Sequence, residues 1–256
     1  MKKTMKKTKC SLIVIYCLAV FFLFLPFLKQ ACLIHQTRSI KIHQVTAIED
    51  LDSVELNAVQ PPSLTDALKF DQNQVFRSIG RLVIPDVKIS LPVFAGLLED
   101  EMLVGVGTLY PERLAEKENI VIFGHHLGRK ELLLGQILSL TEGKSIYLTY
   151  FGINYTYRIT NIKTVDEKDL TVLSNHQKAE ITLITCDTAS PTNKRFVVTG
   201  EQQHAFQNQE AQTRKKQAEQ IEQKQQEKNG YYVYFIFLMF LVVLISGIFI
   251  LYKFIS

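Results

Sequence analysis

A thiol, an imidazole pair and a guanidinium fall at the ends of three short apolar runs. Cys186 closes Ile181-Thr182-Leu183-Ile184-Thr185-Cys186, Gly124-His125-His126 follows Ile120-Val121-Ile122-Phe123, and Arg195 opens Arg195-Phe196-Val197-Val198-Thr199. The chemistry these types share is acyl transfer. A thiolate attacks a carbonyl carbon, an imidazole moves the protons, and a guanidinium fork steadies the oxyanion that forms. A cation near the thiol also favours its nucleophilic form. Arg195 lies nine residues past Cys186, across the polar segment Asp187–Asn193 that can turn the chain back. A lone cysteine is more often an inert, buried small hydrophobe. Against that, Cys186 is the only cysteine beyond residue 32, and it borders a polar loop.

Adjacent histidines on extended backbone point to opposite faces, so only one of His125 and His126 is expected in such a site. Zinc is not expected, because Glu131 stands at the wrong spacing from the pair for a helical metalloprotease motif. Asp166, Glu167 and Asp169 are acidic, as strand-joining turns usually are, and no metal or other cofactor is assigned to them.

The elements that must hold these groups read as strands. Alternating apolar and polar residues predict strands at 78–84, 89–93, 119–123, 145–150, 154–165, 180–185 and 195–199. In the run before Cys186, Ile181, Leu183 and Thr185 face one side, and Thr182, Ile184 and Cys186 the other. Pro85-Asp86 and Pro92 mark turns or edges. A helix is expected at 132–140 and another around 64–70. Many short strands and few helices predict a mainly β domain, a barrel or a sandwich.

Of the 256 residues 47% are apolar, yet much of that share is gathered into two terminal blocks. Residues 1–10 carry five lysines and no acid, and residues 11–30 are apolar without a clean signal-peptidase site. They read as a cytoplasmic tail and a first transmembrane helix. A polar stalk spans 31–74, the folded domain 75–202, and a Gln/Glu/Lys-rich, solvated helical linker 203–229. A second transmembrane helix follows at 230–252, opened by Tyr231, Tyr232 and Tyr234, with a short cytoplasmic tail at 253–256. Lysines hold the amino terminus inside, so the expectation is a two-pass cell-membrane protein with an extracytoplasmic domain. The net charge of +4, without a basic stripe, argues against a nucleic-acid partner. Cys10 and Cys17 lie in or beside the first apolar block, so the folded domain has no disulfide framework.

Thr182-Leu183-Ile184-Thr185-Cys186 resembles the Thr-Leu-x-Thr-Cys signature of the sortases, membrane-anchored cysteine transpeptidases of Gram-positive bacteria. Arg195 stands where that family's arginine follows on the next strand. Ile122-Phe123-Gly124-His125 resembles the strand that ends in the catalytic histidine. Ile84-Pro85, Leu91-Pro92-Val93-Phe94-Ala95-Gly96 and Val104-Gly105-Val106-Gly107-Thr108 resemble the family's first half. The resemblance implies an eight-stranded sortase-type β-barrel with short helices, flanked here by two transmembrane helices. It also implies a reaction on a sorting signal such as Leu-Pro-x-Thr-Gly. Cys186 would attack the Thr carbonyl to form a thioester. His125 would protonate the departing glycine amine and deprotonate the incoming one. Arg195 would stabilise the oxyanion, and Thr185 would add a contact to the substrate carbonyl. The implied partners are LPxTG-bearing surface or pilin proteins and an amine acceptor, either a pilin lysine or a lipid-linked cell-wall precursor. No cofactor is implied.

Within that family the core motifs resemble the housekeeping class, which has only the amino-terminal span. A second span is typical of the pilin-polymerising class, whose Asp-Pro-aromatic lid does not occur in 31–73. Two other readings of the same residues are a non-catalytic membrane adaptor barrel and a hydrolytic cysteine peptidase of the cell envelope.

Overall fold

The structure is a computed structural model that describes residues 2–37, 40–48, 69–71, 73–127, 132–203 and 208–254. Nine strands form among the described residues: β1 (Lys41–Gln44), β2 (Val75–Ile84), β3 (Ile89–Ala95), β4 (Val106–Thr108), β5 (Asn119–Phe123), β6 (Ser145–Tyr150), β7 (Ile153–Asp166), β8 (Glu180–Cys186) and β9 (Lys194–Gln203). Eight of them close on themselves in the order β2-β3-β4-β5-β8-β9-β7-β6, with β6 pairing back onto β2. The barrel is mixed: β3–β4 and β5–β8 are parallel, and the other barrel neighbours are antiparallel. Closure leaves few unpaired backbone edges. At the closing seam, a Cβ on Gly80 would lie 2.0 Å from the carbonyl oxygen of Thr149, so only glycine allows β2 and β6 this close. β1 adds a parallel strand beside the start of β2, so the segment expected as a polar stalk, with a helix only around 64–70, contributes a strand to the sheet.

The seven expected strands all form. β1 and β4 escaped the sequence reading because runs of four and three residues are too short to show a period. Inside the barrel lies one apolar cluster that includes Leu82, Ile120, Ile122, Ile181, Leu183 and Val198. The alternate residues Val121, Ile184 and Val197 form a second cluster on the outer face. Ile181 and Leu183 therefore point in and Ile184 out, as the alternation requires. The helix expected at 132–140 is a 3-10 turn, Leu134–Ser139, preceded by Leu133 at φ 50. A short helix, α2 (Glu99–Val104), joins β3 to β4. Most of the helix expected around 64–70 lies outside the described residues.

The two long helices are α1 (Lys2–Gln36) and α3 (Asn208–Phe254). Each contains an 18-residue window apolar enough to cross a membrane, at mean hydropathy 2.7 within Ser11–Gln36 and 2.9 within Lys215–Lys253. Residues 1–38 and 226–256 form a unit of their own. Within it, Tyr16 donates to the carbonyl of Val243 at 2.6 Å, and the Phe24 and Phe240 rings meet at 5.5 Å. Tyr232 donates to Gln30 at 3.1 Å. Residue numbers rise along α1 as they fall along α3, so the helices pair antiparallel.

The second unit spans 39–225 and holds the barrel with the polar start of α3. This stretch is not solvated all round, as its composition suggested. Ala218 is buried, Glu222 accepts from Arg81 of β2 and from Ser90 of β3, and Gln225 donates to the carbonyl of Lys88. Docking runs through polar groups, so no apolar stripe marked it in the sequence.

Candidate active site

β8 and β9 are antiparallel neighbours, and their register sets Cys186 directly opposite Arg195. β5 lies parallel on the other side of β8, with Phe123 beside Ile184. Beyond Phe123, Gly124 stays bonded to β8. The Gly124 N–H donates to Ile184 O at 3.1 Å, and the buried Thr185 hydroxyl donates to Gly124 O at 2.7 Å. Gly124 must be glycine here, since a Cβ would come within 2.6 Å of the Leu134 side chain. Thr185 was expected to meet the substrate carbonyl. In this structure its hydroxyl donates to the segment that carries the histidines.

One of the two histidines is expected to turn away, and the structure sets the ring of His126 against the end of β8. β5 ends at Phe123, so strict alternation stops before the pair. His125 O accepts from Leu134 N at 3.1 Å, and His126 forms an isolated bridge with Leu133. The ring Nδ1 of His126 then lies 3.1 Å from the carbonyl oxygen of Cys186. A carbonyl oxygen only accepts, so Nδ1 carries the hydrogen of this bond. His126 thus reaches the end of β8 by a hydrogen bond, and His125 directly follows Gly124, which is itself bonded to Ile184 and Thr185.

Burial sets the resting charges. His125 is only 6% exposed, and desolvation pushes its pKa down to about 4, so its imidazole is neutral near pH 7. Burial also pushes the Cys186 thiol up; Arg195 pulls it down, and Asp187 and Glu167 push it further up. Arg195 Nη1 donates to the carbonyls of Thr192 at 2.9 Å and Lys194 at 3.1 Å. Its Nη2 donates to Glu167 at 2.8 Å. Sequence reasoning left Glu167 as an ordinary turn acid. Its contact depends on the pairing of β7 with β9, which no local pattern announces.

The outer cluster beside the site is roofed by Val172 and Leu173, from the 3-10 turn Leu170–Leu173. Arg113 ties this turn to β5, donating to Asn119 O at 2.9 Å and Leu173 O at 3.1 Å, with its guanidinium over the Tyr110 ring. Asn119 in turn donates to Ser174 O at 3.1 Å and accepts from Thr182 at 2.9 Å. None of these braces follows from sequence spacing.

A closed mixed barrel with a strand-end cysteine opposite an arginine, and histidines at the adjoining strand, defines a cysteine acyl-transfer enzyme. The sortase domain model matches residues 82–203. Sortase A of Listeria monocytogenes is 33% identical over 207 residues, covering 77% of this chain and 91% of that protein. Sortase A of Bacillus anthracis is 31% identical over 176 residues, 65% of this chain and 82% of that protein. The crystal structure of the Listeria enzyme is similar at a TM-score of 0.49, with 35% identity over 52% of this chain and 92% of that one. The chain belongs to the sortase family and is a cysteine transpeptidase.

Proposed function

We propose that this sortase cleaves an LPxTG-like sorting signal between Thr and Gly and passes the acyl chain to an amine at the membrane surface. Cys186 Sγ attacks the Thr carbonyl carbon, and the thiol proton passes to the neutral imidazole of His125. As the tetrahedral intermediate collapses, the imidazolium gives that proton to the departing glycine amine and leaves a thioester on Cys186. The acceptor amine then attacks the thioester, its proton goes to His125, and Cys186 leaves and is reprotonated. Arg195 donates to the oxyanion of both intermediates; its three hydrogen bonds leave part of its five-donor fork for this task. Thr185 keeps the histidine strand against the nucleophile strand, and a contact with the substrate carbonyl requires its hydroxyl to switch partner.

The observation that carries this reading is the register that sets Cys186 opposite Arg195. The antiparallel pairing of α1 with α3 supports a two-pass anchor that returns the chain to the side it left, and the five lysines of residues 1–10 favour the cytoplasm for that side. The acceptor is then a membrane-proximal amine, a pilin lysine or a lipid-linked wall precursor. The test is incubation of the detergent-extracted chain with sorting-signal peptides and each class of amine, read by product mass. Scission between Thr and Gly, an acyl adduct on Cys186 and an amide to the added amine are expected. The absence of Thr–Gly scission overturns the proposal, and release of the free acid alone in the presence of amine favours the hydrolytic reading.

A further inference from the structure

We propose that Glu167 is a positioning residue of this active site: its carboxylate holds the Arg195 guanidinium opposite Cys186 and partly neutralises it. The inference rests on the reading of Cys186 as nucleophile and Arg195 as oxyanion donor.

The backbone leaves Glu167 little choice of place. β7 runs antiparallel to β9 with Val165 beside Arg195 and Asp166 beside Lys194. One residue further on, the Glu167 N–H donates to Asn193 O at 2.7 Å. From that anchored position Oε2 accepts from Arg195 Nη2 at 2.8 Å. Nη1, at the other tip of the fork, is held by the Thr192 and Lys194 carbonyls. Three acceptors from two segments therefore fix the guanidinium. An isolated exposed ion pair adds only about 0–1 kcal/mol, largely because it must order two long side chains. Here the arginine side chain is 25% exposed, and backbone carbonyls already order it. The carboxylate supplies the last anchor with less entropy left to lose.

Charge gives the pair a second consequence. The charged groups acting on the thiol are Arg195 from β9, Asp187 from the loop after β8 and Glu167 from the turn after β7. The His126 imidazole adjoins the Cys186 carbonyl from the end of β5, and the preceding His125 is neutral near pH 7. Burial keeps the thiol protonated at rest; Arg195 opposes this, and the Asp187 and Glu167 carboxylates add to it. Glu167 therefore weakens the thiolate while it orders the oxyanion donor.

These two effects separate in Glu167→Gln. The amide keeps the shape but removes the charge, so alkylation of Cys186 by iodoacetamide should begin at lower pH than in the wild type. The loosened fork should at the same time lower kcat for peptide transfer about 10-fold or more, within the range that a misplaced catalytic group costs. KM should change far less. Glu167→Asp keeps the charge on a shorter arm; it should retain the wild-type alkylation profile and recover part of kcat. The experiment uses the full chain in detergent, with alkylation followed by the mass of the Cys186 peptide. If either the alkylation profile or kcat of Glu167→Gln matches the wild type, the proposal is overturned. A lower melting temperature without both changes marks a structural role only and overturns it equally. Cys186→Ala, run alongside, tests the underlying reading: transfer by that variant removes the nucleophile itself, whatever Glu167 does.

Discussion

The imidazole Nδ1 of His126 lies 3.1 Å from the carbonyl oxygen of Cys186 and braces the backbone of the nucleophile from outside its own strand. His125, one residue earlier, is buried and holds no charge near pH 7. Two adjacent residues of one type thus sit in different environments, and the proposed mechanism gives them different work, His125 as proton carrier and His126 as prop. His125→Ala should lower kcat/KM for peptide transfer by about 100- to 10,000-fold, the usual worth of a positioned acid–base group. His126→Ala should cost far less, and His126→Asn, which keeps an N–H donor, should recover much of that loss. Steady-state kinetics decide the matter, and a larger loss from His126→Ala would exchange the two roles.

Cys186 and Arg195 make a paired prediction. Cys186→Ala should abolish transfer with little change in melting temperature, since the half-buried strand-end thiol packs against little. Cys186→Ser should remain nearly inactive, because a hydroxyl is far harder to ionise near neutral pH. Arg195→Ala should lower kcat by about 100- to 1,000-fold, as loss of an oxyanion donor does. Arg195→Lys should restore only part, because an ammonium cannot hold the Thr192, Lys194 and Glu167 acceptors and the oxyanion together. Full activity in the Lys variant would reduce Arg195 to a source of charge.

The buried imidazole also predicts how stability depends on pH. Its folded pKa, about 4, lies below the ordinary value of 6.5, so between those limits the unfolded chain binds more protons than the folded one. Stability from this group is complete above pH 6.5 and is lost as pH falls towards 4. The loss should be on the order of 3 kcal/mol across that window. Thermal melts of the wild type should therefore drop on acidification more steeply than those of His125→Asn. Parallel curves for the two proteins would show that His125 is not the group responsible.

The docking of α3 predicts a local effect away from the chemistry. Glu222 joins Arg81 and Ser90, and burial lowers the Arg81 pKa, so its charge needs a partner. Both members of the ion pair are about one third exposed, which limits its worth. Glu222→Ala should destabilise the docked segment by about 1 kcal/mol and raise amide exchange around Ala218, while kcat stays unchanged. Wild-type exchange rates in that segment would mean that the contact holds nothing in place.

The strands and the residue types at their ends were legible in the sequence because each rests on local chemistry. A period of two shows wherever one face of a strand is buried, as in Ile181–Cys186, and a strand-end cysteine beside a polar loop declares itself by type and place. The same holds for the two apolar helices, which need only length and composition. Tertiary structure alone decided which groups meet. Glu167 reaches Arg195 through the β7–β9 ladder, and Arg113 reaches Leu173 across 60 residues of chain. His126 turns to Cys186 because β5 stops at Phe123, a strand end that the apolar run Ile120–Phe123 foretells without saying where the next ring goes. The polar start of α3 docks through Glu222 and Gln225, whose composition reads as solvated helix until the acceptors and donors on β2, on β3 and in the turn between them are in place. Hydrogen bonds and ion pairs are short-ranged and directional, so their partners are set by strand register and closure. Hydrophobic periodicity, by contrast, is written along the chain itself.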